Sequence, residues 1–136
     1  MRSSQENKIK LLIVEDNPEL SKILAEDFSE MNFLTFHAND GMEALEFLRK
    51  VPIDIVITDL HMPKIDGLGL KELATVENIS PNILWFAYSG FSEHTPDFLK
   101  SRGFEEIFYK PLNPKFFEKI IYQKINARNA EDLKAA

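Results

Sequence analysis

An α/β fold is predicted for this chain: a parallel five-stranded sheet with helices on both faces. Three observations point to it. Short apolar runs alternate with amphipathic stretches along the 136 residues, five times over. The first run is continuously apolar and the third is rich in β-branched residues, as strands buried in the middle of a sheet are. Proline, glycine and Asx residues mark the boundaries between runs.

Residues 10–14 (KLLIV) form the first strand and enter the acidic turn Glu15-Asp16. Asn17 suits the N-cap of a first helix and Pro18 its first turn, with Leu20, Ile23, Leu24 and Phe28 at helical spacing up to about Glu30. Residues 32–37 give the second strand, with Phe33, Leu34 and Phe36 as its apolar content. Asp40-Gly41 opens the second helix, in which Met42, Leu45 and Leu48 make one face. Pro52 begins the third strand, residues 53–58, which delivers Asp59. Pro63 and Gly67 make residues 60–67 a loop, and Leu68, Leu70, Leu73 and Ala74 follow in a short third helix.

The fourth strand spans residues 82–88, places Trp85 in the core, and ends at Ser89-Gly90. Pro96 and Gly103 leave only about residues 97–102 for a fourth helix, which is expected to be short or irregular. Residues 106–109 are the fifth strand. Pro114 then starts a final helix carrying Phe116, Phe117, Ile120, Ile121 and Ile125, a stripe for the sheet that also offers a surface to a partner or a homodimer. Residues 127–136 are small and polar without an apolar stripe, and are expected to fray or serve as a linker. With a disordered extension over 1–7, the folded domain is expected over 8–126.

Composition excludes several classes. A domain of this length buries roughly two-thirds of its unfolded surface, so it needs no staples. With no cysteine, neither a disulfide framework nor a thiolate metal site is available. A formal net charge of −6 argues against direct attraction to nucleic acid, which rests on clustered Lys and Arg. No apolar run approaches the ~20 residues that span a bilayer, and the polar start is unlike a secretory signal, so a cytoplasmic protein with no membrane contact is expected.

In an open parallel sheet, ligands gather outside the carboxyl ends of the strands. That edge would collect Glu15 and Asp16 from the first strand, Asp59 from the third, Ser89 from the fourth and Lys110 from the fifth. Three carboxylates in one cleft repel one another, and a hard divalent cation relieves them, Mg²⁺ fitting best. Such a cation would also screen an incoming phosphoryl group, while the Ser89 hydroxyl and the Lys110 ammonium each hold a phosphoryl oxygen. Asp59 is left as the nucleophile, since an aspartyl phosphate is an accessible covalent product of a carboxylate. Each residue has a bland reading alone: Glu15-Asp16 as acids favouring a helix dipole, Asp59 as a turn cap, Lys110 as a solvated base. All of them on one edge would be several accidents at once.

These residues resemble the receiver domain of two-component response regulators. The resemblance is carried by Glu15-Asp16, by the run from Asp59 through His61, Pro63 and Lys64 to Asp66-Gly67, by Ser89-Gly90 and by Lys110-Pro111, in order and at similar spacing, over about residues 8–126. It implies a flavodoxin-like (βα)5 three-layer sandwich with strand order 2-1-3-4-5. It further implies that Asp59 is the phosphoacceptor, and that Asp16, Asp59 and the main-chain carbonyl of His61 bind Mg²⁺, with Glu15 acting through water. Mn²⁺ can substitute. Ser89 would move toward the phosphoryl group and Lys110 pair with it. The donor would be a histidine kinase or a histidine phosphotransfer protein, and the chain would be a signalling phosphoacceptor rather than an enzyme with a separate substrate.

One position departs from the pattern. Three residues before Lys110 the family usually carries a Tyr or Phe whose ring turns inward with the hydroxyl residue, and here stands Ile107. Readout is therefore expected to run through the region of Ser89, Phe91 and the short fourth helix, with Tyr88, Phe91 and Tyr109 as candidate substitutes. His61, two residues after Asp59, is read as tuning the access of water and so dephosphorylation.

Two other classes compete. A phosphatase of the aspartate-nucleophile type wants a second acid two residues after the nucleophile, where this chain has His61. A flavin or nucleotide module of the same topology wants a Gly- or Ser/Thr-rich loop after the first strand, where Glu15-Asp16-Asn17-Pro18 would repel phosphate. With no further domain following the last helix, output is expected through contacts with a downstream protein target.

Overall fold

Runs that must bury both faces end up in the middle of the sheet. In the computed structural model, which describes residues 8–135, the elements are β1 (Ile9–Val14), α1 (Pro18–Glu30), β2 (Phe33–Ala38), α2 (Gly41–Lys50) and β3 (Ile55–Asp59), followed by α3 (Gly67–Val76), β4 (Leu84–Ser89), α4 (Pro96–Ser101), β5 (Phe104–Tyr109) and α5 (Pro114–Ala135). All five strands are parallel, in the order β2-β1-β3-β4-β5, so the expected (βα)5 order holds. Every residue of β3 is buried, which is why its sequence is apolar through Ile57, with Thr58, whose hydroxyl bonds the Asp59 carbonyl, leading into Asp59.

Strand alternation splits the core in two. Leu11 and Ile13 of β1, Ile55 and Ile57 of β3, and Phe86 and Tyr88 of β4 face α1 and α5, where Phe28, Phe117 and Ile121 meet them. Leu12 and Val14, Val56, and Trp85 and Ala87 face the other way, against Leu45, Leu48, Leu70, Ala74 and Leu99 of α2, α3 and α4. Phe117 is the hub of the first layer, with ring centroids 5.3 Å from Phe28, 5.1 Å from Phe86 and 4.9 Å from Phe108. Trp85 is buried in the second layer, edge-on to Phe104.

Helix starts follow the caps in the sequence. Asn17 Oδ1 accepts from the backbone N–H groups of Glu19 and Leu20, as expected of an N-cap. Asp40 and Asp66 do the same for α2 and α3. Asn32, at φ 71°, turns the chain between α1 and β2, so β2 begins at Phe33 and runs through Ala38.

Several boundaries and faces differ from expectation. The third strand starts at Ile55, because Asp54 instead caps Lys10 through its carboxylate, at 2.8 Å. Ile23, Met42, Leu73 and Phe116, placed on apolar stripes by their spacing, are exposed, since the sheet covers a narrower band of each helix than the periodicity suggests. The fifth strand starts at Phe104 and carries an irregularity: Trp85 pairs with Phe104 but Phe86 with Glu106, which puts Phe104 and Phe108 on opposite faces.

The fourth helix is short, as expected, with six residues. Residues 127–136 were expected to fray or serve as a linker, and the described part of that segment is helical. α5 continues to Ala135, built there from helix formers such as Ala127, Ala130 and Glu131, and Arg128 donates to the carbonyl of Asn82 at the amino end of β4. Residues 1–7, expected to be a disordered extension, lie outside the described residues. No helix among the described residues is long and apolar enough to cross a membrane.

Candidate functional site

At the carboxyl edge of the sheet, β1, β3 and β4 end one beside another and β5 closes the row. The backbone fixes that alignment: Glu15 N–H donates to Ala38, Leu60 N–H to Tyr88 and Lys110 N–H to Ser89, each to the carbonyl of the adjacent strand end. Gly67 is required for a close approach. A Cβ there would lie 2.4 Å from the carbonyl oxygen of Asp59, so the first residue of α3 has to be glycine if the end of β3 is to keep its place.

Glu15, Asp16 and Asp59 converge as the sequence predicts, each offering a carboxylate oxygen within 4.8 Å of the others. Glu15 and Asp59 are buried, at 1% and 4% exposure, whereas Asp16 faces solvent. Lys110 bridges the two buried acids, its Nζ 2.8 Å from Asp59 Oδ2 and 2.9 Å from Glu15 Oε1. One ammonium against three carboxylates leaves the cluster net negative. An oxygen-only donor set with excess negative charge is what a hard divalent cation binds.

His61 joins through its backbone, donating its N–H to Asp59 Oδ1 at 3.0 Å. Its ring reaches the Ser89 loop, with Nε2 2.8 Å from the carbonyl of Phe91. Ser89 stands at the same edge, but its hydroxyl is engaged in its own loop. It donates to the carbonyl of Phe91 and accepts from the Phe91 N–H. The structure thus gathers Glu15, Asp16, Asp59, Lys110 and the His61 N–H around one point, with the Ser89 hydroxyl bonded to Phe91.

The charges are tuned by these contacts. Burial on its own would raise the pKa of Glu15, yet hydrogen bonds from Lys110 and Tyr88 outweigh it and hold the acid at about 2. Beside it, Asp16 is pushed upward by its contact with Glu15 and by partial burial. Burial works against the charge of Lys110, but the bonds to Asp59 and Glu15 prevail and raise its pKa. At neutral pH the site therefore holds an ionised Glu15 and a firmly protonated Lys110.

Tyr88 contacts the cluster in a way the sequence did not reveal. Its hydroxyl donates to Glu15 Oε1 at 2.7 Å, and the Lys110 ammonium lies 4.9 Å from its ring centroid. The available signal was parity: a tyrosine one residue before Ser89 on a buried strand points to the opposite face, the one beneath Glu15. Tyr88 thus packs on the face opposite Ile107, which lies on the α2–α3–α4 side. Phe91 and Tyr109 are both exposed.

Comparison with known proteins agrees with this geometry. The family model described as "Response regulator receiver domain" matches residues 11–122. Among curated relatives, the chain is 32% identical over 110 residues to the probable transcriptional regulator ycf27 of Guillardia theta, covering 81% of this chain and 42% of that protein. It is 28% identical over 109 residues to the sensor histidine kinase RcsC of Escherichia coli, covering 80% of this chain and 11% of that protein. The chain thus spans less than half the length of these relatives. Its fold is shared with a CheY-like receiver domain protein from Methanospirillum hungatei JF-1, at a TM-score of 0.82 and 20% identity over 92% of this chain and 99% of that one. The receiver domain of a putative Luxo repressor protein from Vibrio parahaemolyticus gives 0.80 and 20%, over 95% and 98%.

Proposed function

The chain belongs to the response-regulator receiver family, and from that premise we propose that Asp59 accepts a phosphoryl group from a histidine of a partner protein and passes the signal on through protein contacts. The observation that carries this reading is the pairing of a buried, deeply placed Asp59 with Lys110 at 2.8 Å, inside a cluster of three carboxylates.

An oxygen of the Asp59 carboxylate attacks phosphorus, the P–N bond to the donor histidine breaks, and the imidazole leaves with its electron pair and takes up a proton. The Lys110 ammonium, already at Asp59 Oδ2, turns to a phosphoryl oxygen. The Ser89 hydroxyl leaves the Phe91 carbonyl and takes another. Asp16, Asp59 and the main-chain carbonyl of His61 would hold Mg²⁺, with Glu15 acting through water. Bound there, Mg²⁺ supplies positive charge that offsets the carboxylates and the incoming phosphoryl oxygens. Self-catalysed hydrolysis of the acyl phosphate ends the signal, and no separate substrate is turned over.

Ser89 is also where readout begins. When its hydroxyl moves, Phe91 loses one of two groups held at its carbonyl and keeps His61. With Ile107 lacking a ring to turn, the loop from Ser89 to α4 is the element that changes. A histidine kinase or a phosphotransfer protein fits as the donor, since the curated relatives include a sensor histidine kinase and a probable transcriptional regulator. The test is incubation with acetyl phosphate and Mg²⁺, followed by a phosphate-affinity gel. A retarded band for the wild type that is absent for Asp59→Asn supports the reading. An equal band for both overturns it.

A further inference from the structure

Tyr88 touches two of the groups that carry the proposed chemistry, yet the phosphotransfer steps make no use of it. On β4 it faces the α1–α5 core, one residue out of phase with Ser89, and its side chain is 1% exposed. Only its hydroxyl reaches polar company. That hydroxyl donates to Glu15 Oε1, which also accepts from Lys110 Nζ, while Glu15 Oε2 accepts from the Asn17 N–H at 3.2 Å.

Glu15 is a buried, ionised carboxylate with two side-chain donors on a single oxygen. One of them, Lys110, is also wanted elsewhere. When a phosphoryl group arrives on Asp59, the ammonium has to turn toward it and loosen its hold on Glu15. A buried charge that loses its partner is penalised heavily, so the movement of Lys110 is opposed unless a second donor stays behind. Tyr88 is placed to be that donor. Being neutral, it does not compete for the phosphoryl oxygens, and its ring offers the ammonium an electron-rich face at 4.9 Å along the way.

Resting on the phosphoacceptor reading of Asp59, we propose that Tyr88 is a positioning residue that holds Glu15 so that Lys110 is free to engage the phosphoryl group. Its hydroxyl bonds Glu15 and acts through Glu15 and Lys110. The backbone role of this position is independent of that hydroxyl, because the Tyr88 carbonyl accepts from the Leu60 N–H. A Tyr88→Phe change keeps the ring, the core packing and this backbone bond, and removes only the donor.

The experiment compares the full chain with Tyr88→Phe, Glu15→Gln and the double variant. Phosphorylation by acetyl phosphate is timed at saturating Mg²⁺, and Mg²⁺ affinity is measured by calorimetry without phosphodonor. Tyr88→Phe is expected to slow phosphorylation about tenfold while changing Mg²⁺ affinity by less than about twofold, the scale set by one lost hydrogen bond to a buried charge. In the Glu15→Gln background, where no charge has to be held away from Lys110, the same change is expected to have little effect. Equal rates for wild type and Tyr88→Phe overturn the inference. So does a loss of Mg²⁺ affinity in step with the rate, which marks a merely structural role, or an undiminished slowing in Glu15→Gln.

A measurement on the unmutated protein stands beside these. The Tyr88 hydroxyl proton is expected to stay protected from solvent exchange after phosphorylation of Asp59, and its exposure in that state would overturn the inference. Failure to label wild-type Asp59 at all would instead strike the phosphoacceptor reading itself.

Discussion

Replacing Lys110 by Met removes the ammonium that, among the described residues, bonds both Glu15 and Asp59, and leaves their carboxylates facing each other and Asp16. The two bonds lost, 2.9 and 2.8 Å long, end on side chains that are 1% and 5% exposed, while the lysine side chain itself is 29% exposed. Breaking a buried pair by removing one partner costs about 3–5 kcal/mol, and solvent screening at the lysine end brings the expectation down to about 2–3 kcal/mol. For a domain of this size that is a fall of roughly 6–15 °C in melting temperature. Thermal melts followed by circular dichroism at neutral pH with a chelator present read it directly. Adding millimolar Mg²⁺ should shrink the deficit, because a divalent cation at the cluster restores the positive charge the variant lacks and stabilises the folded state by mass action. If Lys110→Met melts with the wild type in chelator, or the deficit is unchanged by Mg²⁺, the picture of a carboxylate cluster neutralised from two sides is wrong.

Three further outcomes are expected. In chelator, Glu15 falls from its usual 4.5 in the unfolded chain to about 2 in the folded one, so its contribution is complete above pH 4.5 and is lost as pH falls toward 2. Acid titration of stability should therefore steepen in that window for the wild type and flatten there for Lys110→Met. Phe117→Ala, at a fully buried position among three other rings, should cost about 3–5 kcal/mol in urea unfolding without abolishing phosphorylation of the protein that remains folded. Gly67→Ala forces a methyl group to within 2.4 Å of the Asp59 carbonyl. It should lower stability by about 1–3 kcal/mol and also slow phosphorylation, because the end of β3 must move, which labelling at matched folded fraction would measure.

The sheet was legible because burial on both faces leaves a mark in sequence that needs no tertiary information. The same holds for Asn17, whose side chain caps the residues next to it. Residues at strand ends were legible as a site because a parallel topology brings their carboxyl ends together, and Glu15, Asp59 and Lys110 do meet. What local pattern cannot carry is the direction of a hydroxyl or the width of a covered face. The Ser89 hydroxyl bonds Phe91 in its own loop, and Ile23, Met42 and Phe116 lie on apolar stripes broader than the sheet beneath them. The irregularity in β5 is invisible in Phe104-Glu105-Glu106-Ile107-Phe108, where either alternation is plausible. The bond from Tyr88 to Glu15 joins positions 73 residues apart and follows from parity only once both strands are in register. The helix beyond residue 126 carries no apolar stripe to mark it in the sequence; helix-forming residues and Arg128 suffice there.

The central claim concerns one atom group, the carboxylate of Asp59, and the most direct measurement identifies it chemically. Protein treated with acetyl phosphate and Mg²⁺ is reduced with borohydride, which converts an aspartyl phosphate to homoserine, and is then digested and mapped by tandem mass spectrometry. The account predicts homoserine at position 59, dependent on Mg²⁺ and abolished by chelator. Homoserine at Asp16 or any other acid, or none at position 59 in protein that has taken up a phosphoryl group, would contradict it.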